Sequence, residues 1–450
     1  MKYRNIFVSF LAGTMVLLGC HKDFLSSKPD KALFVPKSLE ELRAILDNVS
    51  FLNRGYPYLG YIASDEFYIP NELFNSLSEL ERATYVWDRE YLEGMVQIPS
   101  WEAPYMMIFY TNVVIDALNQ HEDRNQEVDH IHGTALFFRV FAYHHLSQYF
   151  CAPYVSGPPE LSPGLFLKTQ ADVNEEPQIS TLKETFELML QDLMLAADLL
   201  PETTVYSTRP NRIAAWALLS RIHLEMGNYE EAHFFANAVL ERKAELLDYK
   251  LLNSSSGNPF PVSTHHDNKE VLFYAAGATS NYILSGLTSV DTNLYRLYES
   301  GDLRRALLFT ANENDPQIKN FIGHYTGINS PFVGLALNEI LLIRAETAAR
   351  LGDHRQALED LNHLLSSRYD DSWGGVESES IEALLKRIVL ERRKELIGRS
   401  LRWYDIRRFA DEANFQVGLE RFVNGKMVQL TPADQPFIFP IPLNQITDLE

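Results

Sequence analysis

Residues 335–364 read LALNEILLIRAETAARLGDHRQALEDLNHL, and the spacing of this stretch decides the fold class. Apolar residues recur three and four apart over Asn338–Leu351 and again over His354–Leu365, the period of two amphipathic helices. Gly352-Asp353 separates them. Glycine reaches the backbone conformation that a tight reversal needs, and a small residue such as Ala357 lets two helices approach closely. The stretch 212–241, RIAAWALLSRIHLEMGNYEEAHFFANAVLE, is built the same way, as Arg212–Met226, Gly227-Asn228 and Tyr229–Glu241. Both turns carry Gly-x-x-x-x-Ala, as GNYEEA and GDHRQA.

Working outward, helical stripes continue. Leu39, Leu42, Ile45, Leu46 and Val49 mark one. Leu136, Phe137, Val140, Phe141, His144 and Tyr149 mark an amphipathic second. Phe186, Met189, Leu190, Leu193, Met194, Ala197 and Leu200 mark a third, stopped by Pro201. Long strand-like alternation is scarce, so the expected fold is mostly α, with long loops and little β. The helix pairs resemble tetratricopeptide hairpins, whose repeat is about 34 residues. Ala232 and Ala357 lie 125 positions apart, however, so the hairpins are interrupted in sequence. Residues 251–335, rich in Ser, Asn, Gly and Tyr, are the interruption. Long insertions on a rigid scaffold usually carry function.

The chain has 450 residues, long enough to bury a large core. With 40 Lys and Arg against 60 Asp and Glu its formal charge is −20, which repels phosphate backbones and argues against nucleic acid as a partner. A mean hydropathy of −0.18 is that of a globular chain. Two cysteines exclude a disulfide scaffold and a Cys-rich metal site.

The first twenty residues, MKYRNIFVSFLAGTMVLLGC, place Lys2 and Arg4 before an uncharged apolar run from Ile6 to Leu18. That run is short of the ~20 residues a spanning helix needs and has the length of a signal-peptide core. Its end, Leu17-Leu18-Gly19-Cys20, resembles the lipobox of bacterial lipoproteins. The resemblance implies cleavage before Cys20 and lipidation of Cys20, with several acyl chains giving a stable anchor. Cys151 then has no intrachain pairing partner. Residues 21–36, HKDFLSSKPDKALFVP, read as a tether.

The C-terminal third carries the most specific signal. Residues 388–409 read IVLERRKELIGRSLRWYDIRRF. With 335–364, this string resembles the RagB/SusD lipoproteins of Bacteroidetes-type bacteria, where a helix of the form ERR-x-EL precedes R-W-x-D-hydrophobic-x-R. CHKDFLSSKP, FFRVFAYHHLSQYFCAPYV at 137–155, ESGDLRRA at 299–306 and FIFPIPLNQI at 437–446 resemble further landmarks of that family, in family order. One departure is Ile397-Gly398-Arg399-Ser400, where the family usually has an aromatic-Glu-Gly. The resemblance implies a SusD-like scaffold that captures oligosaccharides at the cell surface. It also implies an outer membrane location through the lipid anchor, and a SusC-like TonB-dependent barrel transporter as partner. The expected organisation is a leader over 1–19, a lipidated tether over 20–36, an N-terminal half over 37–250 and a C-terminal half over 251–450. The two halves are expected to pack as one globular unit.

Residues 386–408 hold nine Lys or Arg and three acids. Against an acidic chain, these read as a partly buried helix end whose arginines pair with Glu391, Glu395 and Asp405, with Trp403 in the core.

Between Tyr56 and Tyr110 there are 13 aromatics in 55 residues, twice the chain average. Aromatic faces suit the apolar C–H faces of sugars, and polar side chains suit their rims. Asp65, Glu66, Asn71, Glu72 and Asp88 lie among them, and the insertion offers Tyr274, Asn281, Tyr282, Tyr295 and Tyr325. Most aromatics pack in cores, as expected for Trp101. The candidate ligand contacts are Tyr68, Trp87, Tyr282, Tyr325 and Trp373, with Trp87 and Tyr282 expected near one surface.

No catalytic constellation emerges. Asp65-Glu66 and Asp370-Asp371 are adjacent carboxylates, but sequence adjacency does not set the separation a glycosidase needs. His130-x-His132, His144-His145 and His265-His266 lack the further ligands of a metal site. No enzyme activity, metal or cofactor is expected. Two alternatives stay open: a peptide-capturing lid of the same transporter type, and a helical-hairpin protein–protein adaptor.

Overall fold

The structure, a computed structural model, describes residues 36, 38–121, 125–172, 174–176, 178–284, 288–377, 380–431 and 438–442. The leader, Cys20 and all of the tether except Pro36 lie outside these residues. The described residues from 39 onward form one compact unit.

The repeated Gly-x-x-x-x-Ala pattern does make helical hairpins. Arg212–Glu225 packs on Tyr229–Leu240, and Leu337–Arg350 packs on His354–Ser366. Gly227 and Gly352 stand at φ +74° and +88°. At each turn the residue after the glycine donates its N–H to a carbonyl five residues back, Asn228 to His223 at 2.9 Å and Asp353 to Ala348 at 2.8 Å. The glycine itself donates three residues back, Gly227 to Leu224 and Gly352 to Ala349. This is the left-handed helix cap that satisfies the last carbonyls. Ala232 and Ala357 are fully buried where the helices cross.

The hairpins are interrupted in sequence but continuous in space. Tyr229–Leu240 packs directly on Leu337–Arg350, across the whole insertion. The stack runs from Pro99–Asn119 through Gln126–Phe150, Leu182–Leu199, Arg212–Glu225, Tyr229–Leu240 and Leu337–Arg350, which in turn contacts both His354–Ser366 and Ile381–Glu395. Strands are few and short among the described residues: each sheet is a two-stranded antiparallel ladder.

One stripe reads differently in three dimensions. Gln126–Phe150 is not amphipathic over most of its length. From Gly133 to Phe150 every residue is buried, because helices pack around it. Its polar side chains are paired inside: Arg139 with Asp192 at 2.7 Å, His144 and Gln148 with Glu225 at 2.9 Å, and His145 with the Tyr404 hydroxyl at 3.0 Å. The third stripe loses Met194, which is exposed.

Most of the basic cluster is buried, and its acids pair with much of it and with Arg304 and Arg368 from elsewhere in the chain. Arg304 bridges Asp302 (2.8 Å), Glu391 (2.8 Å) and Glu395 (3.1 Å). Arg368 joins Glu270 (2.9 Å) to Glu395 (2.7 Å), and Lys394 joins Asp302 (3.0 Å) to Glu391 (3.1 Å). Arg408 and Arg392 share Asp405 at 2.8 and 2.9 Å. Burial would raise the Glu395 carboxyl, yet Arg368 and Arg304 hold it below its ordinary value. Arg399, the departure from the family pattern, makes no ion pair among those described: it bonds Asn338 Oδ1 at 3.0 Å and lies 3.8 Å over the Tyr325 ring. Trp403 and Trp101 are core.

Candidate functional site

The aromatic segment near the N-terminus and the insertion lie against each other. Phe67–Tyr68 pairs antiparallel with Ser289–Val290. The Asp291 N–H donates to Glu66 O at 2.9 Å, and the Tyr282 N–H to Glu81 Oε1 at 2.8 Å.

Trp87 follows the helix whose Glu81 meets the insertion, and stands in an unusual backbone position. The helix Glu79–Tyr85 starts at a capping box, with Ser78 and Glu81 exchanging hydrogen bonds. It ends as the two hairpin turns end. Asp88 N–H donates to Ala83 O at 2.9 Å and Trp87 N–H to Thr84 O at 3.3 Å. Trp87 therefore occupies the slot that Gly227 and Gly352 fill, at φ +52°. A bulky residue there costs roughly 1–2 kcal/mol of strain, and such outliers cluster at functional sites. Asp88 then caps the next helix, Arg89–Glu93, accepting from Tyr91 N–H at 3.1 Å.

The Trp87 ring is held on two sides. Its Nε1–H donates to Ala63 O at 3.1 Å. The Arg421 guanidinium lies 5.2 Å from the Trp87 ring and 4.7 Å from Tyr85, and donates to Ser64 O. Arg421 comes from the hairpin Leu419–Val423/Lys426–Leu430, which reverses at Asn424-Gly425 with both residues at positive φ. Burial pushes the Tyr85 phenol up while Arg421 pulls it down, and Tyr68 also acts on it. Tyr68, Tyr85, Trp87 and Arg421 thus share one neighbourhood. Tyr68 and Trp87 are half-buried. The next residue, Asp88, lines a hollow of about 610 Å³ together with Glu79, Glu90, Tyr91, Gly94 and Met95. Exposed Tyr91 donates its hydroxyl to Glu79 at 2.5 Å. Such a surface offers ring faces and carboxylate acceptors together.

Two expected ligand contacts are corrected. Tyr282 is fully buried, packed against Tyr61 at 6.3 Å and Tyr85 at 6.0 Å. It underlies the seam rather than facing solvent. Tyr325 is also buried. Its hydroxyl donates to Glu270 at 2.5 Å and lies 3.0 Å from the Tyr249 hydroxyl, inside the ionic network. Both chains bring a polar tip that the interior absorbs or encloses, so their burial is a packing outcome that aromatic character alone does not reveal. Tyr274 is core as well. Trp373 is half-buried and stacked on Tyr369 at 5.6 Å. Sequence reasoning missed Arg421, Tyr91 and exposed Phe422. The Asn-Gly turn between alternating residues at 419–430 was the available signal for that hairpin.

The carboxylate pairs are engaged in structure. Asp65 accepts from Arg402 at 2.7 Å and pairs with Arg393 at 3.0 Å, which holds it far below its ordinary range against burial. Burial and the neighbouring Asp65 charge push Glu66 up to about 8, offset in part by the Gly398 N–H. Asp370 accepts from Ser372, and Asp371 pairs with Lys250 at 2.7 Å.

Two family models match the two ends of the chain. One, described as starch-binding associating with outer membrane, covers residues 23–224. The other, the SusD family, covers 322–448. The chain belongs to the SusD/RagB family. The SusD-like protein P2 of Formosa agariphila is 24% identical over 410 residues, with 78% of each chain covered. Among solved structures, a SusD superfamily protein from Bacteroides thetaiotaomicron superposes with a TM-score of 0.72 at 21% identity, over 91% of this chain and 98% of that one. Surface glycan-binding protein A from Bacteroides fluxus gives 0.66 at 17%, over 92% and 97%. These likenesses carry the SusD fold. Trp87 and Arg421 lie inside the two SusD-matched segments; Tyr282 lies between them, in residues neither model covers.

Proposed function

We propose that this SusD/RagB protein is a lipid-anchored protein of the outer membrane surface that captures oligosaccharides and passes them, without chemistry, to a SusC-like TonB-dependent barrel transporter. The observation that carries the reading is Trp87: a tryptophan in a glycine slot, its ring fixed by Ala63 and Arg421, and followed in the chain by Asp88 of a carboxylate-lined hollow. Strain retained at a half-exposed aromatic supports a binding platform, because a merely structural turn is served better by glycine. The names of two matched structures, a SusD-like carbohydrate binding protein from Bacteroides vulgatus and the surface glycan-binding protein from Bacteroides fluxus, support saccharide as the ligand class. The engagement of Asp65, Glu66, Asp370 and Asp371 in the fold supports capture over hydrolysis. The lipobox-like end at Cys20 supports the anchor.

The test is titration of the full chain with a panel of neutral oligosaccharides. Saccharide binding weakened about tenfold by Trp87→Ala, as expected for loss of ~1.4 kcal/mol, agrees with the reading. Panel-wide silence, or release of reducing ends by the purified protein, overturns it.

A further inference from the structure

A second, smaller pocket lies where three distant stretches of chain meet, and it shares no lining residue with the hollow at Asp88. Its volume is about 280 Å³. Asp47 comes from the end of the first described helix, Tyr206, Thr208 and Arg209 from the loop before Arg212, and Thr264 and His265 from a single 3₁₀ turn in the insertion.

The walls are fixed before any ligand arrives. Tyr274 N–H donates to Ser207 O at 2.8 Å, and Asn53 Nδ2 donates to Thr208 O at 2.9 Å. The Ser207 hydroxyl donates to Ser263 O, tying the loop to the 3₁₀ turn. Thr204 Oγ1 donates to Tyr206 O and Arg209 O at 3.0 and 3.1 Å. His266, at φ +61°, closes the turn and bonds Thr204 O through Nε2 at 3.0 Å. Held this way, Tyr206 is 39% exposed with His265 against it at 5.1 Å, edge to face. At the rim, Arg209 and Asp47 make a two-pronged pair: Nε to Oδ1 at 2.8 Å and Nη2 to Oδ2 at 2.6 Å. Nη1 stays outside that pair.

We propose that this pocket is a second saccharide subsite, taking one neutral pyranose unit with its C–H face on Tyr206 and two vicinal hydroxyls across the rim of the Asp47–Arg209 pair, one donating to the outer side of the Asp47 carboxylate and the other accepting from Arg209 Nη1. The chemistry is complementary at each point. An exposed aromatic ring offers a face to the sugar's apolar side. A fixed carboxylate beside a guanidinium offers an acceptor and a donor at the spacing of two neighbouring hydroxyls. The volume, below that of drug-sized sites, suits one ring of a longer chain. The inference rests on the saccharide reading given above and adds a point of attachment to it.

The experiment uses the full chain and malto-, cello-, manno- and laminari-oligosaccharides of two to seven units, followed by saturation-transfer NMR and titration calorimetry. The expected result has three parts. Trp87→Ala leaves a residual saccharide signal, adding Tyr206→Ala removes it, and Tyr206→Phe keeps it. In the wild-type background Tyr206→Ala weakens the longest member three- to tenfold, about what one stacking contact contributes. Unchanged unfolding midpoints in the Tyr206 variants keep these readings about binding. If Tyr206→Ala binds every oligosaccharide as wild type does, the second subsite is refuted while the Trp87 site stands. If Trp87→Ala is without effect and Tyr206→Ala is not, the Trp87 site falls and this one stands. Wild-type silence across the panel overturns both.

Discussion

Trp87 permits a test of backbone strain that separates the turn from the ring. Replacing it by Ala and by Gly removes the same indole, with its bond to Ala63 O and its contact with Arg421. Those losses amount to roughly 1 kcal/mol each and are shared by both variants. The variants differ only at φ +52°. Glycine relieves roughly 1–2 kcal/mol of left-handed strain and gives back ~0.4–1 kcal/mol through a looser unfolded chain. Trp87→Gly is therefore expected to be about 1 kcal/mol more stable than Trp87→Ala, the reverse of their order in an ordinary helix. At a slope of ~3 kcal/mol per M, this separates their urea midpoints by about 0.3 M. Gly352→Ala supplies the mirror image: an added Cβ meets nothing within 4 Å, so only the φ of +88° resists it, and the cost is again about 1 kcal/mol by the same strain and chain-entropy terms. Equal midpoints for the two Trp87 variants, or a more stable alanine, would refute the argument.

Glu66→Gln tests the buried carboxyl. Because Glu66 is raised to about 8, the native state holds a proton that the unfolded chain releases at lower pH, and stability is lost as pH climbs toward 8. The variant and wild type should melt together near pH 4 and diverge in favour of the variant by pH 8–9; parallel curves across that range would exclude the shift. Arg304→Met removes the cation shared by Asp302, Glu391 and Glu395 and leaves Lys394 and Arg368 to balance them in the interior; it should cost ~3 kcal/mol in denaturant unfolding, and a loss under ~1 kcal/mol would mean the network is far more hydrated than its burial implies. Tyr282→Phe removes a buried hydroxyl with no hydrogen-bond partner among the described residues; it should match or exceed wild-type stability and leave saccharide binding intact, and a marked loss of affinity would return Tyr282 to the ligand surface. Cys20→Ala should leave the protein unprocessed or free of the membrane in cell fractionation; retention in the membrane pellet as the processed form would count against lipidation.

The helical scaffold was legible because its turns repeat. Gly227 and Gly352, each followed five positions on by a buried alanine, reported both hairpins before any coordinates. The all-round burial of Gln126–Phe150 was not legible, since Arg139, His145 and Gln148 look solvent-facing until their partners Asp192, Tyr404 and Glu225 arrive from other helices. The site was legible by region but not by residue. Tyr68 and Tyr282 have the same composition signal, yet one lies on a short ladder at the surface and the other beneath it. Local sequence states what a side chain is; its exposure is decided by segments hundreds of residues away. Arg421 shows the same limit: it reaches Trp87 from 334 positions further along the chain.

Because Tyr229–Leu240 and Leu337–Arg350 touch, the chain leaves the stack and re-enters it at neighbouring points. The 96 residues between them form a closed excursion, and the mechanical continuity of the helices does not pass through it. Lengthening such an excursion is inexpensive: doubling a loop adds only about 0.6 kcal/mol of closure entropy. Its ties to the frame are of two kinds: Glu270, Asp302 and Arg304 reach Arg368, Lys394, Glu391 and Glu395, and backbone bonds join it to Asn53, Glu66, Phe67–Tyr68 and Ser207. A redesigned insertion that keeps both kinds of tie and its two exit points could exchange the rest of its outer surface, giving a different recognition face on an unaltered frame.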